Sequence, residues 1–200
     1  GEPHKVTSVT YDIPDTAISK IVLRDSSRFA IRPGELLNRD VLDANRSTIS
    51  QQLRNHGYFT FAKDYITYTA DTVAGSKGVD LTMTINPPKI KVDSSFVNGE
   101  HESYLIRNVY FVTNYQPMSG VENLDETADT VTYKGIKIIY GKDRYLSPQA
   151  LEEKCFIDAL EPYNSSDIDR TYEALSRFEI LKYINIEMKP VGKIMGQQWL

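Results

Sequence analysis

The chain has 200 residues, 40% of them hydrophobic and 25% charged, with a net charge of -4 and a pI near 5.4. That balance suits a globular protein and argues against a nucleic-acid binder, which needs a basic face to displace counterions. No apolar run approaches the length of about 20 residues that a membrane-spanning helix needs, and no signal-peptide pattern opens the sequence, so it reads as a soluble piece of a longer chain.

The elements follow in order. KVTSVTYDIP is a strand ended by Pro14. DTAISKIVLRDSSRF is a short helix capped by Asp15 or Thr16, with Ile18, Ile21 and Val22 on its apolar stripe and Phe29 beyond. A second helix starts near Asn38. Val41, Leu42, Ile49 and Leu53 form its apolar face, Arg39, Asp43, Arg46, Gln52 and Arg54 are solvated, and Gly57 is the left-handed terminator. Tyr58 to Thr69 is rich in aromatic and β-branched residues and reads as a strand with a bulge near Ala62-Lys63. After the turn VAGSKG, Val79, Leu81, Met83 and Ile85 alternate with polar residues in a strand buried on one face and closed by Pro87-Pro88.

Asn86 to Glu102 reads as a linker, and a second series begins with the strand Tyr104 to Val112. An insertion rich in Glu122, Asp125, Glu126 and Asp129 follows. It lacks the ligand spacing and central glycine of a calcium loop and is expected to be solvated. VTYKGIKIIYGKDRY is either two short arms turning at Lys134-Gly135 or one extended edge piece. Ser147 caps a helix with Pro148 at its first position. Ser165 or Ser166 caps another, with Ile168, Tyr172, Leu175 and Phe178 on its apolar face. Tyr183 to Met188 carries Ile184, Ile186 and Met188 on one side, as a strand would.

The two halves echo each other. Leu37-Asn38 falls on Tyr163-Asn164, Leu42-Asp43 on Ile168-Asp169 and Ile49-Ser50 on Leu175-Ser176, at constant spacing inside a helix in each half. The second half lacks a final strand, of which Trp199-Leu200 would be the first residues.

The order strand–helix–helix–strand–strand, with a helix running through Leu53, Asn55, Gly57, Tyr58 and Phe59, resembles the POTRA domain. Such domains occur as tandem periplasmic repeats before the membrane barrel of the BamA/TamA-type outer-membrane assembly superfamily. The runs KDRYLSPQALEEKCF and EPYNSSDIDRTYEALSRFEILKYINI are similar to repeats of TamA-like proteins of Bacteroidetes. The resemblance implies an α+β fold of tandem POTRA repeats, each β-α-α-β-β with two helices on one face of a small mixed three-stranded sheet. It divides the chain into a repeat at 1–88, a linker at 89–101 and a repeat at 102–200, with an insertion at about 114–132 and no last strand. The second repeat departs from the pattern at Phe178-Glu179-Ile180, where a glycine is expected.

A small sheet covered on one face by helices keeps open edges that can pair with another extended chain. The expected edge is Tyr58 to Thr69, with Tyr58, Thr60, Ala62, Tyr65, Thr67 and Thr69 as partner-binding positions and Lys63 and Asp64 as charged guards. The resemblance implies periplasmic location and, as partners, unfolded outer-membrane polypeptides, accessory assembly proteins and the C-terminal barrel of the same parent chain. A POTRA-type module of another envelope machine, for secretion or cell division, is the alternative. An enzyme is the competing class. Asp167 with Asp169, and Glu152 with Glu153, are its acid/base candidates, but both pairs are expected at helix N-termini, where carboxylates meet the helix dipole. The single cysteine, Cys155, excludes an internal disulfide or a cysteine-based zinc site, and His4, His56 and His101 form no motif with it. No catalytic residue, metal ligand or cofactor is expected.

Overall fold

The computed structural model describes residues 4–72, 77–113, 129–141 and 144–200. The chain divides into two compact units, Gly1–Glu102 and Ser103–Leu200.

In the first unit, strand β1 (Lys5–Asp12) is followed by helix α1 (Thr16–Arg24) and helix α2 (Arg39–Arg54). Asp15 caps α1 by accepting from the Ala17 and Ile18 amides, and Asn38 caps α2 by accepting from Val41 N–H. Strands β2 (Ile66–Thr72) and β3 (Gly78–Ile85) complete a sheet in the order β1-β3-β2. β3 lies in the middle, parallel to β1 and antiparallel to β2. Its alternation places Val79, Leu81, Met83 and Ile85 at 0–3% exposure. Met83 and Ile85 pack with Ile18, Val22, Phe29, Ile49 and Leu53, while Leu81 joins Val6 and Ile31 in a smaller cluster.

Helix α2 closes without a connecting loop. Gly57 has a φ of 96° and Tyr58 N–H donates to Leu53 O at 3.2 Å, the long-range bond of a Schellman closure. The strand expected to begin at Tyr58, however, begins at Ile66. Phe59 N–H turns back to Gly57 O and Phe61 N–H to Tyr58 O, and a short 3-10 turn spans Lys63–Tyr65. Tyr58 and Phe61, at 6% and 2% exposure, plug the core instead of alternating across a sheet. Burial of both rings on the same side overrides their strand propensity.

The segment expected as a linker contains a hairpin, β4 (Lys89–Val92) and β5 (Ser95–Asn98), which turns through Asp93 at a φ of 54°. All eight of its strand residues are exposed.

The second unit contains β6 (Tyr104–Leu105), β7 (Val109–Val112), β8 (Asp129–Tyr133), β9 (Ile136–Tyr140), α3 (Pro148–Glu152), α4 (Ser165–Ser176), β10 (Gly192–Ile194) and β11 (Gln197–Trp199). The strand expected over Tyr104 to Val112 is therefore two pieces, with different partners. β7 pairs in parallel with β9 in a sheet of order β7-β9-β8, and β6 pairs in parallel with β11 in a sheet of order β10-β11-β6. β8 and β9 are the two arms of the first alternative. Lys134 and Gly135, at φ of 44° and 83°, form the two-residue turn that suits a hairpin.

Ser147 caps α3, accepting from Ala150 N–H, with Pro148 at its start. Asn164, not either serine, caps α4. The buried stripe of α4 is Thr171 and Leu175, whereas Tyr172 is 49% exposed and Phe178 lies past the helix end. Leu175, Leu151, Ile136, Ile138 and Tyr140 form the core. The segment expected as a strand at Tyr183 to Met188 lies in none of the described sheets. The helices of this unit follow both strands of the hairpin, so its order along the chain departs from the expected β-α-α-β-β. Most of the expected acidic insertion, 114–128, and much of the turn VAGSKG lie outside the described residues. Asp129 opens β8 and pairs with Arg144.

Candidate functional site: an open sheet edge

In the first unit β2 is an edge strand. Asn86 N–H donates to Tyr65 O at 2.8 Å, and this bond fixes the phase of the antiparallel ladder. With the register Ile66↔Ile85 and Thr67↔Thr84, the backbone groups of Thr67, Thr69 and Asp71 point at β3, and those of Ile66, Tyr68, Ala70 and Thr72 point outward. Among the described residues, the outward groups of Tyr68 and Ala70 have no backbone partner.

One outward acceptor is occupied. Arg46 Nε donates to Ile66 O at 2.9 Å, and its guanidinium lies 5.1 Å over the Tyr68 ring. Tyr68 is in turn fixed by Asn45, whose Nδ2 donates to the phenol oxygen at 2.8 Å from a site only 1% exposed. Burial raises the Tyr68 pKa, while the Asn45 hydrogen bond and the Arg46 charge pull it down. The start of the edge is thus rigid and cationic, and the stretch from Tyr68 onward is open. The opposite edge is more covered at its beginning, because Gly34 N–H donates to Val6 O, Val6 N–H to Glu35 O and Leu37 N–H to His4 O.

The six expected positions divide sharply. Tyr58 lies in the core, where burial first and the Asp15 carboxylate second raise its pKa. Thr60 sits in the turn after it, and Ala62 precedes the 3-10 turn, accepting from Tyr65 N–H. Tyr65 packs its ring on Phe61 and edge-on against His101. Thr67 and Thr69 are on β2 with exposed side chains, but their backbone groups are used by β3. Of the two expected guards, Lys63 is engaged with Asp43 at 3.2 Å. The guard that touches the edge is Arg46, which the sequence pattern placed on a solvated helix face; nothing in the pattern distinguishes it from its neighbours.

The acid/base candidates are held structurally. Asp167 is in the first turn of α4 and pairs with Arg170 at 3.1 Å. Glu152 closes the C-terminal end of α3, contrary to the expected N-terminal position, and pairs with Lys134 at 3.2 Å. Burial pushes the Cys155 thiol up, away from the thiolate form. Among the described residues, no three His, Cys, Asp or Glu side chains group as a metal site, and no helix is long and apolar enough to cross a membrane.

Residues 5–87 match the family model POTRA, "Surface antigen variable number repeat". They span the whole β1-α1-α2-β2-β3 arrangement. The fold is that of a POTRA domain. The chain is also similar to the crystal structure of Haemophilus influenzae BamA POTRA3-5, with 11% identity and a TM-score of 0.54 over 99% of this chain and 59% of that one. It therefore spans about three fifths of that structure. Weaker likenesses are to POTRA1-3 of the periplasmic domain of Omp85 from Anabaena, with 13% identity and a TM-score of 0.42 over 99% of this chain and 60% of that one. Another is to the N-terminal domain of Omp85 from Thermosynechococcus elongatus, with 8% identity and a TM-score of 0.30 over 100% and 96%. No curated protein matches the chain. The POTRA model ends at residue 87, so it stops before both the β4–β5 hairpin and the second unit.

Proposed function

We propose that this chain is a periplasmic polypeptide-binding scaffold belonging to an outer-membrane protein assembly or translocation factor whose own membrane barrel follows in the parent chain. It engages outer-membrane client polypeptides or accessory subunits by adding their extended segments to the edge of β2. The observation that carries this reading is the phase of that edge. Its outward donors and acceptors at Tyr68, Ala70 and Thr72 repeat every second residue, the spacing at which an added strand reads a backbone. The POTRA fold and the likeness to BamA support the periplasmic, assembly-linked setting.

The ladder phase selects the test. Proline at Ala70 removes an outward N–H and leaves the bonds to β3 in place, whereas proline at Thr67 removes an N–H that faces β3. Ala70→Pro should reduce photo-crosslinking of β2 to an unfolded outer-membrane polypeptide at least tenfold, with unchanged circular dichroism. Undiminished cross-linking in a folded Ala70→Pro protein would count against strand addition at this edge.

A further inference from the structure

We infer that the second unit holds an open strand slot between β7 and residues 184–189, and that its occupant is a strand running on from Leu200. The slot is a groove of about 690 Å³ lined along one side by every residue from Ile106 to Thr113 and along the other by Tyr183 to Lys189. Consecutive residues of an extended chain point to opposite faces, so an unbroken run on each wall means that two chain edges, not two side-chain faces, border the gap. The floor is apolar and comes from the core of the unit, including Leu146, Leu151, Cys155 and Leu175.

Both walls are built to receive a strand. Thr113 N–H donates to Ile139 O, so alternate residues Val109, Phe111 and Thr113 direct their backbone groups to β9. Those of Tyr110 and Val112 consequently point to the other edge. On the opposite wall Ile184, Ile186 and Met188 are half-buried and Asn185, Glu187 and Lys189 exposed, the alternation of a strand, yet residues 184–190 belong to no described ladder. The first unit shows what such a gap accepts. There α2 precedes an edge strand, β2, whose neighbour β3 runs antiparallel to it and parallel to β1, sealing the core beneath the helices. In the second unit α4 precedes 184–189 in the same way, and the position equivalent to β3, between that segment and β7, is the groove.

The occupant is indicated by β11. It runs parallel to β6, with Leu200 N–H donating to Leu105 O and Arg107 N–H donating to Leu200 O, and so brings Leu200 to the wall of the groove beside Ile106. A small molecule suits the volume, but an apolar trough bordered by two backbone edges calls for regularly spaced amide groups, which an extended chain with apolar residues at alternate positions supplies.

Cys155, the single cysteine of the sequence, reports on occupancy because it lines the groove. The test compares N-ethylmaleimide alkylation and amide exchange in the 200-residue chain, in the same chain with GVDLTMTI (the sequence of β3) fused after Leu200, and in the chain mixed with that peptide free in solution. The fusion should slow Cys155 alkylation and exchange at Tyr110, Val112 and Ile186 at least tenfold, and the free peptide at equal concentration should not. A second extension, TVTVTVTV, serves should the first fusion misfold. Unchanged alkylation and exchange in a folded fusion would overturn the slot. Equal protection by the free peptide would overturn the occupant, because the groove would then take a separate chain.

Discussion

Replacing Gly57 should weaken the first unit in a graded way set by backbone conformation. At a φ of 96° a side chain meets the following carbonyl, and for an L-residue the left-handed region costs about 1–2 kcal/mol. Asparagine tolerates that region best among residues with a Cβ, and a β-branched valine tolerates it least, at a cost of up to about 3 kcal/mol. The strain cannot be relieved by letting the chain swing away. Tyr58 N–H is bonded to Leu53 O, and both side chains are buried in the same core. The expected stability order is therefore Gly, Asn, Ala, Val. For a unit of this size Gly57→Ala should lower the midpoint of thermal unfolding by roughly 5–15 °C. Amide exchange at Ile49 and Leu53 reads the first unit, while fluorescence of Trp199, the sole tryptophan, reads the second and should not change. Equal stability of the Gly and Ala proteins, or a more stable Ala than Asn protein, would refute the conformational reasoning.

Three further outcomes are expected. Tyr140→Phe removes a hydroxyl that donates to Leu146 O at 2.7 Å inside a core where Tyr140 is 1% exposed, and should cost about 1 kcal/mol in urea unfolding of the second unit. Arg46→Met should cost about 1 kcal/mol through the lost bond to Ile66 O, and should move the Tyr68 phenol higher still because the nearby positive charge is gone; ultraviolet titration at alkaline pH measures the shift. The first unit should also lose stability in base. Burial raises the Tyr11, Tyr58 and Tyr68 phenols above 10.0, so the unfolded chain releases these protons first. Their contribution is complete below pH 10 and fades as pH rises past it. The urea midpoint should fall with pH in that range, and fall less steeply in Tyr58→Phe.

What could be read from the sequence was what neighbours in the chain decide. The Asn38 cap, the Gly57 stop and the alternation of Val79, Leu81, Met83 and Ile85 are local signals, and each stands where its residues placed it. Strand pairing is not local. Tyr58-Phe59-Thr60-Phe61 has strand composition, but two of its rings are needed under the same pair of helices, so the backbone turns there and the strand begins later. Ile184, Ile186 and Met188 have the alternation expected of them and still join no described ladder, because a strand also needs a neighbour. The hairpin at Lys89–Asn98 was hidden by its prolines and polar turn, which read equally well as a connector. The docking edge was legible as an element, while the direction of its amides followed only from the Asn86–Tyr65 bond, and Arg46 only from its contact with Ile66 O.

The parallel pairing of β1 with β3 also dictates when the first unit can fold. Ser8 and Asp80, hydrogen-bonded across that ladder, stand 72 positions apart. During synthesis β1 leaves the ribosome first and has no partner until β3 has emerged, after both helices and β2 have been made. The loop-closure entropy of bringing such distant segments together comes due before their contacts form. The β2–β3 hairpin, closed over a short turn, is the natural template, and docking of β1 is expected as the late, rate-limiting event. Until then β3 presents on that side an open edge of its own, so a protein expected to receive other strands spends its earliest moments needing protection from them.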